Sequence, residues 1–201
     1  MTSSLLSGAG AVYKAKKPAS GGGYLNPSSI EADEPTRFTI LGTESLGGYE
    51  CWVTTSEGKR KSLKFATEPA REDLQDRAND EDITLKGDEK PKAFYAFWIW
   101  NYNEEMVQVF QFSQQGLIDP IIQNLSDEEI QQEPWAYDFK ATTNGLTGLD
   151  KRYVVTCVPG KRRTAKVNSQ IEAAFEKVQS EGASLSNLLV GADPFKAIVP
   201  F

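Results

Sequence analysis

One segment of the chain carries large aromatic rings at almost every position. From residue 94 to residue 102 its sequence is FYAFWIWNY. Successive side chains of a β-strand point to opposite faces, so these rings occupy both faces of the predicted strand. A strand needs only one apolar face to join a core. The second face must therefore be covered by more protein or must bind something flat.

Two interpretations of this strand remain open. Alternation places Phe94, Ala96, Trp98 and Trp100 on one face and Tyr95, Phe97 and Ile99 on the other. In the first interpretation both faces are buried, as in central strands with continuous apolar runs. In the second, one face is a platform on which nucleic-acid bases stack, at about 1–3 kcal/mol per base. We then expect Trp98 or Trp100 to stack with help from Trp52, and the platform to extend to Tyr49 and Tyr102.

The composition limits the chemistry that the chain can perform. Its 201 residues include no histidine and two cysteines, Cys51 and Cys157. Histidine is the commonest general base and a frequent metal ligand, and two cysteines alone do not make a structural zinc site. Two cysteines in a chain of this length indicate free thiols in a reducing compartment. We therefore expect no catalytic activity, no metal and no cofactor.

No apolar run approaches the roughly 20 residues that span a bilayer, so no membrane association is expected. No secretion signal is recognised at the N-terminus.

Runs of β-branched and aromatic residues bounded by turn residues predict six strands, at residues 37–41, 49–55, 92–101, 105–112, 135–142 and 151–158. Gly47-Gly48 is interpreted as the turn between the first two. Helical spacing of apolar residues predicts helices at residues 113–125, with Pro120 inside, and 167–180. The expected fold is mainly β, an OB-like barrel of five to six strands with one internal helix. A β-sandwich is the alternative.

The expected domain organisation follows from shifts in composition. Residues 1–34 are rich in Gly and Ser and predict a flexible basic N-terminal arm. Residues 35–160 form the predicted nucleic-acid-binding domain. Within it, residues 67–90 contain nine acidic and four basic residues, which predicts a mobile acidic insertion with one helical turn near residues 71–78. Residues 161–190 are a basic, helical extension, and residues 191–201 a mobile tail.

Basic residues collect in three clusters beside the predicted strand ends. They are Lys59, Arg60, Lys61 and Lys64, then Lys151 and Arg152, then Lys161, Arg162 and Arg163. Each cluster alone is commonly a solvated loop. The formal net charge is −6, and residues 104–150 contain nine acidic residues and one basic residue. Such segregation favours a phosphate-binding groove on an acidic body, with simple solvation as the alternative.

Several segments then occur in a characteristic order. They are YLNP at 24–27, TRFTILG at 36–42, GYECW at 48–52, KAFYAFWIWNYN at 92–103, VQVFQF at 107–112 and YDFK at 137–140. Over roughly residues 24–158 the chain resembles the tailed-phage single-stranded DNA-binding proteins. The resemblance implies an OB fold, sequence-nonspecific binding of single strands, and a role in phage DNA replication, recombination or repair in the cytoplasm of the infected bacterial host. The insertion at 67–90 and the extension beyond residue 160 depart from that family.

The chain finishes with Ile198, Val199, Pro200 and Phe201. The Pro-Phe pair is similar to the acidic-apolar tip with which bacterial single-stranded DNA-binding proteins recruit replication proteins, although the acidic run is missing here. We expect these four residues to bind a replication or recombination partner. The competing interpretation docks the tail on the protein's own barrel or across a subunit boundary. For the whole chain, the alternative function is a phage structural or assembly protein whose aromatic strand is buried in a subunit interface.

Overall fold

One long strand organises the sheet. The computed structural model describes residues 23–81, 83–87, 89–160 and 163–197. Strand β2 (Thr36–Thr54) is 19 residues long and pairs with three other strands. Its end pairs with β3 (Arg60–Phe65), its middle with β4 (Lys92–Asn101) and its start with β6 (Tyr137–Thr143).

Three further strands complete the sheet: β1 (Tyr24–Leu25), β5 (Met106–Phe112) and β7 (Tyr153–Pro159). The order is β1-β5-β4-β2-β6-β7, with β3 paired to β2 beside this path. Among the strands of the described residues, only the β1–β5 pair is parallel. The helices are α1 (Arg71–Asp80), α2 (Gln115–Leu125), α3 (Glu128–Gln132) and α4 (Ala165–Ser180). Short 3₁₀ helices cover Pro27–Ser29, Pro134–Ala136, Gly148–Asp150 and Leu185–Val190.

The fold is mainly β, as predicted, and its seven strands form one open mixed sheet. Among the described residues, the end strands β1 and β7 do not pair with each other. A closed OB-like barrel is therefore not confirmed. The described residues do not form the two sheets of a sandwich, because all their strands belong to the same sheet.

The prediction of a turn at Gly47-Gly48 is wrong. Both glycines lie inside β2 and pair with β4, so the predicted strands 37–41 and 49–55 are parts of one strand. A Cβ on Gly48 would lie 2.5 Å from the carbonyl oxygen of Phe65. The absence of a side chain therefore serves the close approach of a neighbouring strand.

The described part of the N-terminal arm is also more ordered than predicted. Residues 23–34 contain β1 and the first 3₁₀ helix, and Leu25 and Ile30 are buried in the core at 6% and 2% exposure. Burial of these two apolar side chains attaches the segment to the sheet. Residues 1–22 lie outside the described residues.

The acidic insertion is packed against the sheet, which corrects the expectation of a mobile loop. Helix α1 buries Leu74 and Ala78, four residues apart on one helical face. With Ile83 they form a small core against Cys51, Val53 and Leu63. The acidic residues of the insertion are mostly on the exposed side of this segment.

The two faces of the sheet are covered by different elements. The inner face carries Phe38, Phe97, Phe110 and Phe139, which pack with α2. The opposite face, called the outer face below, carries Trp98, Trp100, Val107 and Val109 beneath α4 and the 3₁₀ helix Leu185–Val190. Within the described residues, no helix has the length and apolar character needed to cross a bilayer.

Candidate nucleic-acid interface

The aromatic strand β4 is buried on both faces. Only 1% of Trp98 and 3% of Trp100 is exposed. On the outer face the Phe195 ring packs edge-on against Trp98, with ring centroids 5.0 Å apart, and Trp98 Nε1 donates a hydrogen bond to Glu44 Oε2 at 2.9 Å. The prediction that Trp98 or Trp100 offers a stacking face is therefore wrong. The alternative, a strand covered by protein on both sides, is what the structure has.

Tyr102 is engaged by the protein and is not an open stacking surface. Its hydroxyl donates a hydrogen bond to Asp138 Oδ1 at 2.8 Å, and the Arg37 guanidinium lies 4.4 Å from its ring centroid. Burial and the interaction with the Asp138 carboxylate raise the pKa of Tyr102 well above its usual value. Tyr102 thus remains a hydrogen-bond donor at every physiological pH.

Arg163 has a structural contact where a phosphate contact was predicted. Its side chain is 8% exposed and Nη2 lies 2.8 Å from Asp138 Oδ1. Arg37 pairs with the same carboxylate. Arg163 therefore anchors the segment between β7 and α4 to the sheet. Lys161 and Arg162, predicted beside it, lie outside the described residues.

Trp52 is the predicted tryptophan that remains accessible, with 47% exposure. It lies on the outer face of β2, opposite Ser62 of β3, and the Arg60 guanidinium is 5.2 Å from its ring centroid. Tyr49 is half-buried and, three residues earlier in the same strand, points to the other face. Tyr49 therefore does not extend the surface around Trp52.

A second exposed ring, Tyr24, is 43% exposed and was not among the predicted site residues. Tyr24 and Trp52 line one cavity of about 350 Å³ together with Glu50 and Gln111. Lys64 is paired across the strands with Glu50; burial lowers the pKa of Lys64 and the negative charge of Glu50 opposes that shift. Tyr24 was missed because a two-residue strand is too short to show a strand period.

The first basic cluster is partly neutralised. Lys59 and Lys61 form ion pairs with Glu57 and Glu81, at 2.7 Å and 2.5 Å between nitrogen and oxygen. In the part of the chain that the structure describes, Arg60 forms no ion pair and lies against the Trp52 ring. Arg60 is therefore the member of this cluster best able to meet a phosphate.

The second basic cluster lies at the other end of β2. Lys151 Nζ is 4.9 Å from the ring centroid of Tyr153, and the exposed Arg152 donates a hydrogen bond to the Lys151 carbonyl at 3.1 Å. Both residues lie at the end of the loop between β6 and β7, and β6 pairs with the start of β2. Because β3 pairs with the end of β2, the two basic clusters are separated along that strand.

The tail is docked as far as the structure describes it. Phe195 packs against Trp98 and Tyr24, and the Asn187 side-chain amide donates hydrogen bonds to the carbonyls of Asp193 and Lys196. The prediction of a mobile segment from residue 191 is wrong for residues 191–197, and for Phe195 the competing interpretation is correct. Ile198, Val199, Pro200 and Phe201 lie outside the described residues.

The two thiols are free and lie in environments that favour their protonated form. Cys51 is buried and Cys157 half-buried. Burial raises the pKa of both, that of Cys157 to about 11, so the reactive thiolate is scarce at neutral pH. Among the described residues, no cluster of three or more His, Cys, Asp or Glu side chains could hold a metal ion.

The geometry of these residues is the structural basis for a functional assignment. No family model, no curated protein and no solved structure matches the chain.

Proposed function

We propose that the protein binds single-stranded DNA, without a strict sequence requirement, on a surface around Trp52. We call it the Trp52 surface and define it by Tyr24, Glu50, Trp52, Arg60 and Gln111. The observation that carries the proposal is the exposed Trp52 ring, with Arg60 against it and with the exposed Tyr24 on the same cavity. Accessible rings beside a cation bind unpaired bases by stacking and their phosphates by charge.

The strand order supports an opened OB-like barrel made of β2, β4, β5, β6 and β7. β2 pairs with both β4 and β6, α2 stands between β5 and β6 in sequence, and β1 occupies the outer edge of β5. OB folds bind oligonucleotides on the face of their second and third strands and on the loops after their first and fourth strands. In this chain the corresponding connections run from β2 to β4, with β3 inside it, and from β6 to β7. They contain the two basic clusters, Lys59 to Lys64 and Lys151 with Arg152.

The position of the C-terminal extension explains why the proposed surface lies beside, and not on, the aromatic strand. α4 and the 3₁₀ helix Leu185–Val190 cover the outer face of β4 and β5. Bases therefore have no access to Trp98 or Trp100 while this cover is in place. The outer face becomes accessible again near the β2–β3 hairpin, where Trp52 is exposed.

The biological setting of the proposal comes from the sequence resemblance. A binder of single strands from a tailed phage acts in DNA replication, recombination or repair in the cytoplasm of the infected bacterium. The protein has no catalytic part in this proposal, since its thiols are protonated and it contains no histidine. Residues 198–201 remain the proposed contact for a replication or recombination partner.

A second candidate is a phage structural or assembly protein. The sequence argument for this role was an aromatic strand buried between subunits. That argument loses support because α4 of the same chain covers the strand. Strand β7 supports the candidate instead. It is the last strand of the open sheet in the described residues, and Val154 and Val158 on it are 54% and 37% exposed. Such an edge can pair with another chain.

Fluorescence anisotropy with a labelled oligonucleotide, single-stranded or duplex, tests the proposal. We expect the single strand to bind more tightly. Trp52→Ala should weaken its binding about 5- to 150-fold, the equivalent of one lost stacking contact of about 1–3 kcal/mol. Trp135→Ala is the matched control, because Trp135 is 42% exposed but does not line the cavity. Wild-type affinity in Trp52→Ala would exclude the Trp52 surface. Absence of any binding, with self-association that Val154→Lys abolishes, would favour the assembly role.

A further inference from the structure

The cavity of the Trp52 surface contains a buried acidic side chain. Glu50 is 4% exposed, although it lies on the outer face of the sheet between two lysines, Lys64 and Lys92, in the cross-strand register. Burial of a charged group is unfavourable unless hydrogen bonds or an opposite charge compensate for it. Neither lysine comes within ion-pair distance of Glu50 in the part of the chain that the structure describes. Lys64 compensates the charge of Glu50 only from beyond ion-pair distance, so the direct contacts of the carboxylate are hydrogen bonds.

The hydrogen bonds satisfy only one of its two oxygens. Ser62 Oγ and Gln111 Nε2 both donate to Glu50 Oε2, at 3.3 Å and 3.2 Å. Oε1 accepts no hydrogen bond from the described residues. A carboxylate is an acceptor only, and Oε1 is not enclosed by protein, so it can accept a hydrogen bond from solvent or from a ligand in the cavity. Because Glu50 lines the same cavity as the rings of Trp52 and Tyr24, a ligand stacked on these rings can supply that donor.

The four DNA bases differ in what they can donate to such an oxygen. Guanine offers two neighbouring donors, N1–H and the 2-amino group. Cytosine and adenine each offer one exocyclic amino group. Thymine offers a single N3–H between two carbonyl oxygens, and these oxygens are repelled by a carboxylate. The affinity of this site for a stacked base therefore depends on the hydrogen-bond donors that the base offers.

From these contacts we infer that Glu50 makes the cavity a base-reading subsite, which favours guanine, then cytosine and adenine, over thymine. The inference rests on the proposed function, because it describes how the same surface treats the base that it stacks. Trp52 and Tyr24 hold the base by its faces, and Glu50 Oε1 accepts a hydrogen bond from its edge. Gln111 positions the carboxylate through Oε2. The result is a bias in composition within an otherwise nonspecific binder.

The test compares three single-stranded oligonucleotides of equal length at neutral pH and equal salt: all-thymine, all-cytosine and alternating thymine-guanine. We expect the cytosine and guanine oligonucleotides to bind at least about fivefold more tightly than the thymine one, the lower end of one base contact. Glu50→Gln should remove this difference, since an amide both donates and accepts. Glu57→Gln is the matched control: it removes the same charge from the neighbouring turn, outside the cavity, and should preserve the difference.

If Glu50→Gln does not fold, a modified oligonucleotide tests the same hydrogen bond with the wild-type protein. Replacing cytosine by N4,N4-dimethylcytosine removes both amino donors, and with wild-type protein it should reduce the affinity to that of the thymine oligonucleotide. Equal affinities for all three oligonucleotides would overturn the inference and leave the proposed function intact. So would a base preference that survives in folded Glu50→Gln. Failure to bind any of the oligonucleotides would overturn the proposed function itself.

Discussion

At the scale of single residues, two buried carboxylates have opposite environments. Both oxygens of Asp138 accept hydrogen bonds, which come from Tyr102, Arg37 and Arg163. From the described residues, Glu50 accepts hydrogen bonds on Oε2 only. A buried charge that is fully paired fixes the structure around it, whereas one with a free acceptor beside a cavity is available to a ligand. This contrast separates a structural site from a binding site in a chain with many acidic residues.

Asp138→Asn should be strongly destabilising. The substitution leaves the guanidinium of Arg163, which is 8% exposed, without its anionic partner. Removing one member of a buried pair costs about 3–5 kcal/mol, because the other charge stays buried and uncompensated. Urea unfolding at neutral pH, followed by tryptophan fluorescence, measures this loss in the free energy of unfolding.

The control for this prediction is Glu57→Gln, which breaks the exposed ion pair with Lys59. Exposed pairs contribute little, so this variant should unfold close to wild type. If Asp138→Asn unfolds at the same urea concentration as the control, the Asp138 network does not anchor Arg163 as described.

Among the strands and helices, local sequence patterns correctly predicted those in which the apolar pattern continues over many residues. The predicted segments 92–101, 105–112 and 167–180 correspond to β4, β5 and α4 within two residues. The predictions failed where contacts with a segment distant in sequence determine the local structure. Gly48 lies inside a strand, and its lack of a side chain leaves room for the Phe65 backbone. The two-residue β1 forms because it pairs with the edge of β5. Neither partner is visible in the local sequence.

The candidate site shows the same division. Strand alternation correctly placed Trp98 and Trp100 together on one face of β4. Whether that face is open depends on α4, whose apolar residues are visible in the sequence but whose target is not. The exposure of Trp52 and the burial of Glu50 are likewise set by the packing of several elements. Sequence reasoning therefore identified candidate rings and basic residues but not which of them reach solvent.

Gly48→Ala should destabilise the β2–β3–β4 junction. The new Cβ would lie 2.5 Å from the carbonyl oxygen of Phe65, a backbone atom that cannot turn aside. Forcing extra volume into a packed site typically costs about 1–3 kcal/mol. The control is Gly116→Ala in α2, where the nearest atoms are 3.7 Å from the new Cβ. It should raise stability by up to about 1 kcal/mol through helix propensity, so thermal unfolding should shift in opposite directions for the two variants.

The segment after α1 should make stability depend on acid through Glu89. The backbone N–H groups of Lys86 and Gly87 and the Arg71 side chain donate hydrogen bonds to its carboxylate. Burial acts to raise the pKa of Glu89, but these hydrogen bonds outweigh it and lower the pKa to about 2. Because the pKa is lower in the folded state, Glu89 stabilises the protein above the ordinary pKa of 4.5, and this contribution is lost as the pH falls toward 2.

Glu89→Gln should therefore flatten the fall in unfolding free energy between about pH 5 and pH 3, measured as urea midpoints across that range. Glu68→Gln, at an exposed position of the acidic insertion before α1, controls for the loss of one acidic group. Identical pH profiles for wild type and Glu89→Gln would contradict the role of the Glu89 hydrogen bonds.

At the scale of the whole molecule, an acidic protein is proposed to bind a polyanion. With a net charge of −6, long-range attraction cannot drive the encounter, so local cations must offset the repulsion. Arg60 is exposed and Lys151 is half-buried, and they lie near opposite ends of β2. The C-terminal extension covers the sheet face between them. The affinity for single strands should therefore be sensitive to salt and to these few residues.

Binding of a single-stranded oligonucleotide at several salt concentrations measures that sensitivity. On single strands each phosphate contact contributes about 0.7 to the slope of log affinity against log salt, because binding releases counterions. Arg60→Ala and Lys151→Ala should each reduce the steepness of the slope by about that amount. Lys196→Ala is the control, since Lys196 is exposed and pairs with Asp193 in the C-terminal segment; it should leave the slope unchanged. A reduction in Arg60→Ala alone would confine the DNA to the β2–β3 end. A salt-independent affinity would remove both basic clusters from the interface and leave stacking at Trp52 as the whole of the attraction.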